Sequence, residues 1–296
     1  MKLMFLGTSS MVPTKQRNHS ATLLLYKGEG ILVDCGEGTQ RQLKIAGIKP
    51  SRITKILITH WHGDHVFGLP GLLQTLGSED YLGTLRIYGP KGSKRIMKKI
   101  LEAFILETRI DYTVQEVSSG VFYECDDYKL IAEPMKHSVI CLGYRFQEKD
   151  KRKIILSKAE KLGIPEGPLL GKLQRGESIM LNKREIKPEQ VTKLKRGRSV
   201  CFITDTMLTG TCLKLANNCS VLVCEATFAE QHEEKAGLYK HLTAKQSALL
   251  ANNANVKKLV LTHFSQRYKN TQQIEEEARE IFDNVICAED FMELTL

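Results

Sequence analysis

Residues 60–65 read His-Trp-His-Gly-Asp-His, four potential metal ligands within six positions, directly behind the apolar, β-branched run of residues 53–59. The cluster therefore falls where a buried strand ends and a helix begins. Imidazole and carboxylate without thiolate make up the donor set of catalytic zinc, which keeps one coordination position open for water. A single loop cannot surround two metals, so further ligands have to arrive from distant parts of the chain. His137, Asp205 and His263 each follow an apolar strand-like run, as His60 does, and five of the eight histidines then belong to one centre.

The surrounding pattern favours an α/β fold. Strand signals occupy residues 3–7, 21–26 and 31–34, followed by a helix over 39–46 that Gly47 ends, the strand 53–59 and a helix over 68–76. A strand over 85–88 precedes a longer amphipathic helix over 93–106, and strands follow at 112–117, 121–123, 128–133 and 143–147. After an interruption, strands at 199–204, 220–224 and 258–262 alternate with helices at 244–252 and 271–282, and residues 291–296 read as a final strand. Two sheets layered between helices would satisfy this order.

The interruption, residues 149–198, has weak periodicity and a cluster of Gly163, Pro165, Gly167, Pro168 and Gly171. It also holds 15 Lys and Arg against 6 Asp and Glu; the remaining residues carry 28 of each sign, so the whole net charge of +9 sits in this segment. It reads as a flexible arm inserted into a single domain spanning 1–296, and a polyanion is its natural partner. The eight cysteines form no C-x-x-C pair and read as reduced, buried small hydrophobes. No apolar stretch has the length of a membrane span, and the first residues lack a signal-peptide core, so a soluble, cytoplasmic chain without a membrane partner is expected.

The residues at 60–65, with Val33-Asp34-Cys35-Gly36-Glu37 upstream and His137, Asp205 and His263 downstream, resemble the five-motif pattern of the metallo-β-lactamase superfamily. The resemblance implies an αββα sandwich with metals at its rim. Carried over, His60, His62 and His137 hold one zinc, Asp64, His65 and His263 the second, and Asp205 bridges them, with Asp34 buttressing a ligand histidine. Two zinc ions per subunit are implied, with manganese as an alternative, and no nucleotide cofactor. Such a pair can activate water and stabilise both oxygens of a displacement at phosphorus, with Asp64 as proton acceptor.

Three further stretches resemble the short-form tRNase Z family. Pro13, Lys15, Arg17 and Asn18 fill every fixed position of its P-x-K-x-R-N loop, and Gly167-Pro168 resembles the Gly-Pro turn of its tRNA-gripping arm. Glu225-Ala226-Thr227 and His241-Leu242-Thr243 resemble two catalytic loops, His241 as proton donor and Glu225 as its orienter, although Cys224 and Leu242 depart from the family's histidine and serine. Arg267 could hold a phosphate beside the metals. The resemblance implies a homodimeric, zinc-dependent endoribonuclease acting on precursor tRNA, leaving a tRNA 3′-hydroxyl and a 5′-phosphate trailer. The alternative is a hydrolase of a small phosphodiester or thioester on the same fold.

Overall fold

The computed structural model describes residues 1–105 and 110–296. The first sheet grows from the apolar strand signals: β1 (Lys2–Gly7), β2 (Ala21–Tyr26), β3 (Glu29–Val33), β4 (Ile53–Leu57), β5 (Thr84–Gly89) and β6 (Asp111–Glu116). Helices α1 (Thr39–Ile45), α2 (Gly63–Val66), α3 (Leu69–Ser78) and α4 (Ser93–Ala103) connect the later strands. The expected end of the fourth helix at residue 106 lies outside the described residues. Pairing is antiparallel from β1 to β3 and parallel from β3 to β6.

The second sheet repeats this division. Antiparallel β7 (Gly120–Glu124), β8 (Tyr128–Lys136) and β9 (Ile140–Glu148) precede the inserted segment, and parallel β14 (Ser199–Ile203), β15 (Val221–Glu225), β16 (Leu259–Thr262) and β17 (Val285–Cys287) follow it. Its helices are α8 (Gly210–Ala216), α9 (Glu233–Tyr239), α10 (Ala244–Asn253) and α11 (Gln272–Arg279). Each sheet has seven strands, because β18 (Glu293–Thr295) returns to pair with β1.

Burial on both faces explains why these strands read as nearly continuous apolar runs. Leu3, Phe5, Leu24 and Tyr144, Phe146, Val223 meet between the sheets. Leu6, Leu32 and Ile56 pack outward against Leu43, Leu69 and Leu73, while Cys201, Leu222 and Leu261 pack outward against Leu215, Leu250 and Ile274. The result is a four-layered α/β/β/α sandwich. Lys55 is the exception in the middle: it is buried, bound to Glu29 and set over the ring of Tyr123.

Residues 149–198 are more ordered than their weak periodicity suggests. Strands β10 (Lys151–Ile154) and β13 (Thr192–Lys195) form an antiparallel stalk, beyond which lie α5 (Leu156–Lys161), α6 (Pro168–Arg175), the hairpin β11 (Ile179–Leu181) and β12 (Arg184–Ile186), and α7 (Pro188–Val191). A core of their own, with Ala159, Ile164, Leu173, Ile179, Ile186 and Val191 buried, holds them together. The pieces are too short and too exposed for a clean period. Among the described residues no helix is long and apolar enough to cross a membrane.

Candidate metal centre

Parallel strands end on the same side of a sheet, and loops leaving those ends converge. Asp34 follows β3, His60 to His65 follow β4, Asp205 follows β14, Glu225 ends β15 and His263 follows β16. His137 comes from the turn between β8 and β9, and His241 from the turn after α9. Asp34 and His263 both adopt left-handed backbone, with φ of 58° and 62°, as the chain turns out of its strand. Gly36 and Gly68 let the loops close under the helix of Asp64 and His65. A side chain at Gly36 would come within 2.5 Å of the Asp64 carbonyl, and one at Gly68 within 2.1 Å of the Gly36 carbonyl.

The expected ligands fall into two groups that share one residue. In the first, His60 Nε2 lies 2.9 Å from His62 Nδ1 and 3.7 Å from Asp205 Oδ2, and His137 Nε2 lies 3.3 and 3.7 Å from the same two atoms. In the second, His65 Nε2 lies 3.4 Å from Asp64 Oδ2 and 3.5 Å from Asp205 Oδ1, while His263 Nε2 lies 3.5 and 3.2 Å from them. Donors about 2.1 Å from a tetrahedral metal stand about 3.4 Å apart, so both groups have the right spacing. His65 Nε2, His263 Nε2 and Asp205 Oδ1 are buried without any hydrogen-bond partner. Three such atoms aimed at one point each forfeit about 1–3 kcal/mol unless a cation collects them. The donor set fits a metal cofactor.

The outer nitrogens are held so that the inner ones keep their lone pairs. His65 Nδ1 donates to Asp34 Oδ2 at 2.7 Å. The Thr59 hydroxyl donates to the same carboxylate at 2.8 Å and accepts from His60 Nδ1 at 3.1 Å. Thr227 repeats the device on the other sheet, donating to Glu225 Oε2 at 2.6 Å and accepting from His263 Nδ1 at 2.9 Å. His137 Nδ1 donates to the Lys240 carbonyl at 3.1 Å. Sequence reasoning does not single out Thr59, Thr227 or Lys240. A threonine at a strand end is what β propensity alone would place there, and a carbonyl leaves no mark in the sequence.

Electrostatics divides the two groups. Burial pushes the proton affinities of His60 and His137 below the ordinary histidine range, so both offer neutral rings. Burial acts the same way on His65, but the carboxylates of Asp205 and Asp34 prevail and raise its proton affinity well above the usual value. A spot that holds a proton so firmly holds other cations too. Burial would raise Asp64 and Asp205; histidine neighbours, His263 first, keep both ionised.

Beside the donors lies His241, whose Nδ1 donates to Glu225 Oε2 at 2.9 Å. Burial opposes its protonation, but Glu225 and then Asp205 outweigh it, and its pKa rises to about 9. Glu225 is itself fixed by the Thr206 backbone N–H at 2.7 Å. The two departures from the family pattern are packing residues: Cys224 alternates with Glu225 on β15 and faces the helix-covered core, where Leu242 is buried too.

The remaining expected site residues separate. Pro13 and Lys15 are exposed, but Arg17 is buried, its guanidinium donating to the carbonyls of Tyr268 at 2.5 Å and Ser265 at 3.4 Å. Asn18 donates from its side chain to the Glu37 carbonyl at 2.7 Å, so these two residues brace the loop from within. Arg267 is exposed, lies 5.0 Å over the ring of Phe228 and lines the metal cleft with His241. Gly167 and Pro168 are exposed in the arm, where Gly167 takes a φ of 133° and Pro168 opens α6.

The family model described as anti-Pycsar protein Apyc1 matches residues 1–105. Ribonuclease Z of Methanothermobacter thermautotrophicus is 42% identical over 293 residues, covering 99% of this chain and 95% of its own. Ribonuclease Z of Bacillus subtilis is 40% identical over 309 residues, covering 100% and 99%. The crystal structure of the short form of human tRNase Z superposes with a TM-score of 0.74 at 29% identity, covering 100% of this chain and 99% of that one. A metallo-β-lactamase fold protein of B. subtilis, YhfI, reaches 0.72 at 16% identity and speaks for the fold alone. With such identity over nearly its whole length, this α/β sandwich of metallo-β-lactamase fold belongs to the ribonuclease Z family.

Proposed function

We propose that the protein is the metal-dependent endoribonuclease that removes the 3′ trailer from tRNA precursors. Cleavage after the discriminator leaves a 3′-hydroxyl on the tRNA and a 5′-phosphate on the trailer. The observation that carries this reading is the pair of donor groups sharing Asp205, set beside a protonated histidine in a chain of the ribonuclease Z family.

Two zinc ions per subunit, or manganese, fit the two groups: His60, His62, His137 and Asp205 Oδ2 for one, Asp64, His65, His263 and Asp205 Oδ1 for the other. When bound, divalent ions supply Lewis acidity toward phosphoryl oxygens and lower the pKa of water to near neutrality. The chain's own residues do the rest. Asp64 keeps its charge against burial and serves as a proton acceptor at the floor of the cleft. With Nδ1 committed to Glu225, His241 presents Nε2 and donates a proton to the departing ribose 3′ oxygen. Arg267 offers a guanidinium to a phosphate beside that point.

Residues 149–198 act as an inserted arm that grips the tRNA body through its phosphates. Its stalk sets Lys151 opposite Lys195 and Lys153 opposite Lys193. Like charges in such register repel, and a polyanion laid along them relieves the repulsion. Gly167-Pro168 stiffens the turn into α6, and Lys15 adds a cation from the loop at the cleft. We place the enzyme in the cytoplasm as a homodimer.

The deciding experiment is cleavage of a 3′-extended tRNA transcript by wild type and Asp64→Ala, with metal content measured on both. A single cut after the discriminator, lost in the variant, supports the reading. Uncut tRNA in the presence of two bound metals would point instead to a hydrolase of small phosphodiesters or thioesters.

A further inference from the structure

We infer that Tyr239, with Met11 lining the same cleft, forms a stacking platform for an unpaired nucleobase flanking the scissile phosphate. This rests on the ribonuclease reading above. The cleft over the donors holds about 650 Å³, and its floor is polar, with His62, Asp64, His137, Asp205 and His241. Its mouth is not. Met11 is 70% exposed, Leu238 74% and Tyr239 57%, all lining the same opening. Large apolar side chains left in water around a charged floor mark a place where something apolar is received. On a nucleic-acid chain whose phosphate sits on the floor, that apolar part is the base.

Both segments are held by backbone hydrogen bonds. Tyr239 is the last residue of α9, and Lys240 ends the helix in left-handed backbone with φ 57°. The Lys240 N–H donates to the Gly237 carbonyl at 3.3 Å, and the His241 N–H donates to the Ala236 carbonyl at 2.8 Å. The Lys240 carbonyl in turn accepts from His137. The tyrosine is thus fixed two residues from the proton donor, on the turn that orients a metal-ligating histidine. In the loop of Met11, its carbonyl meets His19 Nε2 at 3.0 Å, and that of Val12 accepts from the Ser9 hydroxyl at 2.7 Å. The backbone is pinned while the methionine side chain stays free to adapt.

An aromatic face accepts any base, so such a platform reads no sequence. It does read strandedness. A base inside a duplex already has neighbours on both faces and cannot lie on the ring, whereas an unstacked one can. The mouth therefore selects the point where a paired stem gives way to single strand, and the phosphate beside that point lands on the donors.

The test is a double-mutant cycle between enzyme and substrate. Wild type and Tyr239→Ala are each given a 3′-extended tRNA and two versions with an abasic ribose on one or the other side of the scissile phosphate. Loss of the stacked base should lower wild-type kcat/KM by about 5- to 150-fold on one abasic substrate. Tyr239→Ala should lose a similar factor on the intact tRNA and almost nothing further on that abasic one, while Tyr239→Trp retains the wild-type pattern. Losses that multiply, or a tryptophan variant as impaired as the alanine one, would overturn the platform. If wild type leaves the intact tRNA uncut, the ribonuclease reading itself fails.

Discussion

The two sheets furnish the metal pit in different ways. The first gives a compact block, His60 to His65, on one turn behind β4, with Asp34 from the neighbouring strand end beneath it. The second gives single residues from separate turns: His137, Asp205, Glu225, His241 and His263. Yet each donor group draws on both sheets, two residues from the block and two from the scattered set. A metal held by either group would therefore staple the halves of the sandwich together. A half built from one contiguous turn keeps its geometry locally, whereas the other half depends on the register of β14, β15 and β16.

Asp205→Ala should break the comparison most completely. It removes one oxygen from each group and leaves the histidines of both sheets unbridged, so both metals and all RNA cleavage should be lost. Metal analysis that finds one ion retained would mean the halves are independent. Chelation of the wild-type protein should lower its thermal midpoint, because ligands that bind only the folded state stabilise it by mass action. An unchanged midpoint would count against stapling.

His241→Ala tests the scattered half alone, with cleavage expected to fall by about 10²- to 10⁴-fold while metal content is kept. His241 must be protonated to donate, and its pKa is raised to about 9, so cleavage should decline as pH rises through about 9. Glu225→Gln removes the largest cause of that rise, and the alkaline limb should move to lower pH. A pH–rate profile that does not move would deny Glu225 this role.

Smaller effects sharpen the symmetry. Thr59→Val on the first sheet and Thr227→Val on the second each leave one ligand histidine without its outer partner, costing about 10- to 100-fold in metal affinity. Chelator competition should find each loss confined to one of the two metals, with serine at either position restoring it. Smallest of all, Lys193→Ala in the stalk should lower tRNA affinity without regard to sequence and flatten its salt dependence by roughly one unit of log–log slope.

The same asymmetry governed what could be read from the sequence. Four potential ligands in six residues announce themselves, and the candidates His137, Asp205 and His263 follow because each lies beyond an apolar run, where the burial that makes a strand continuous stops. Apart from β17, the strands of both sheets were legible for the same reason, although β8 and β9 each extend three residues further into the turn that holds His137. Helix α9 was not: its seven residues, Glu-Glu-Lys-Ala-Gly-Leu-Tyr, bury only one side chain, so no apolar stripe marks it. The three residues of β17 were too few to show alternation. Arg17 illustrates another limit. A motif shows that a guanidinium is wanted, but not that it faces inward onto the carbonyls of Ser265 and Tyr268.

The pairing of β18 with β1 carries a consequence in time. Asp290, just ahead of β18, takes the Thr8 hydroxyl at 2.8 Å and the Asn18 backbone N–H at 2.7 Å, and so ties down the loop that contains Lys15. On the ribosome that loop emerges 272 residues before its anchor, counting from Asn18 to Asp290. At ~5–20 residues per second it waits for roughly tens of seconds, during which half of the sandwich is already made. A chain still being translated thus holds its most recognisable motif without the brace that shapes the rim around it, and the rim is tied down only once Asp290 has emerged.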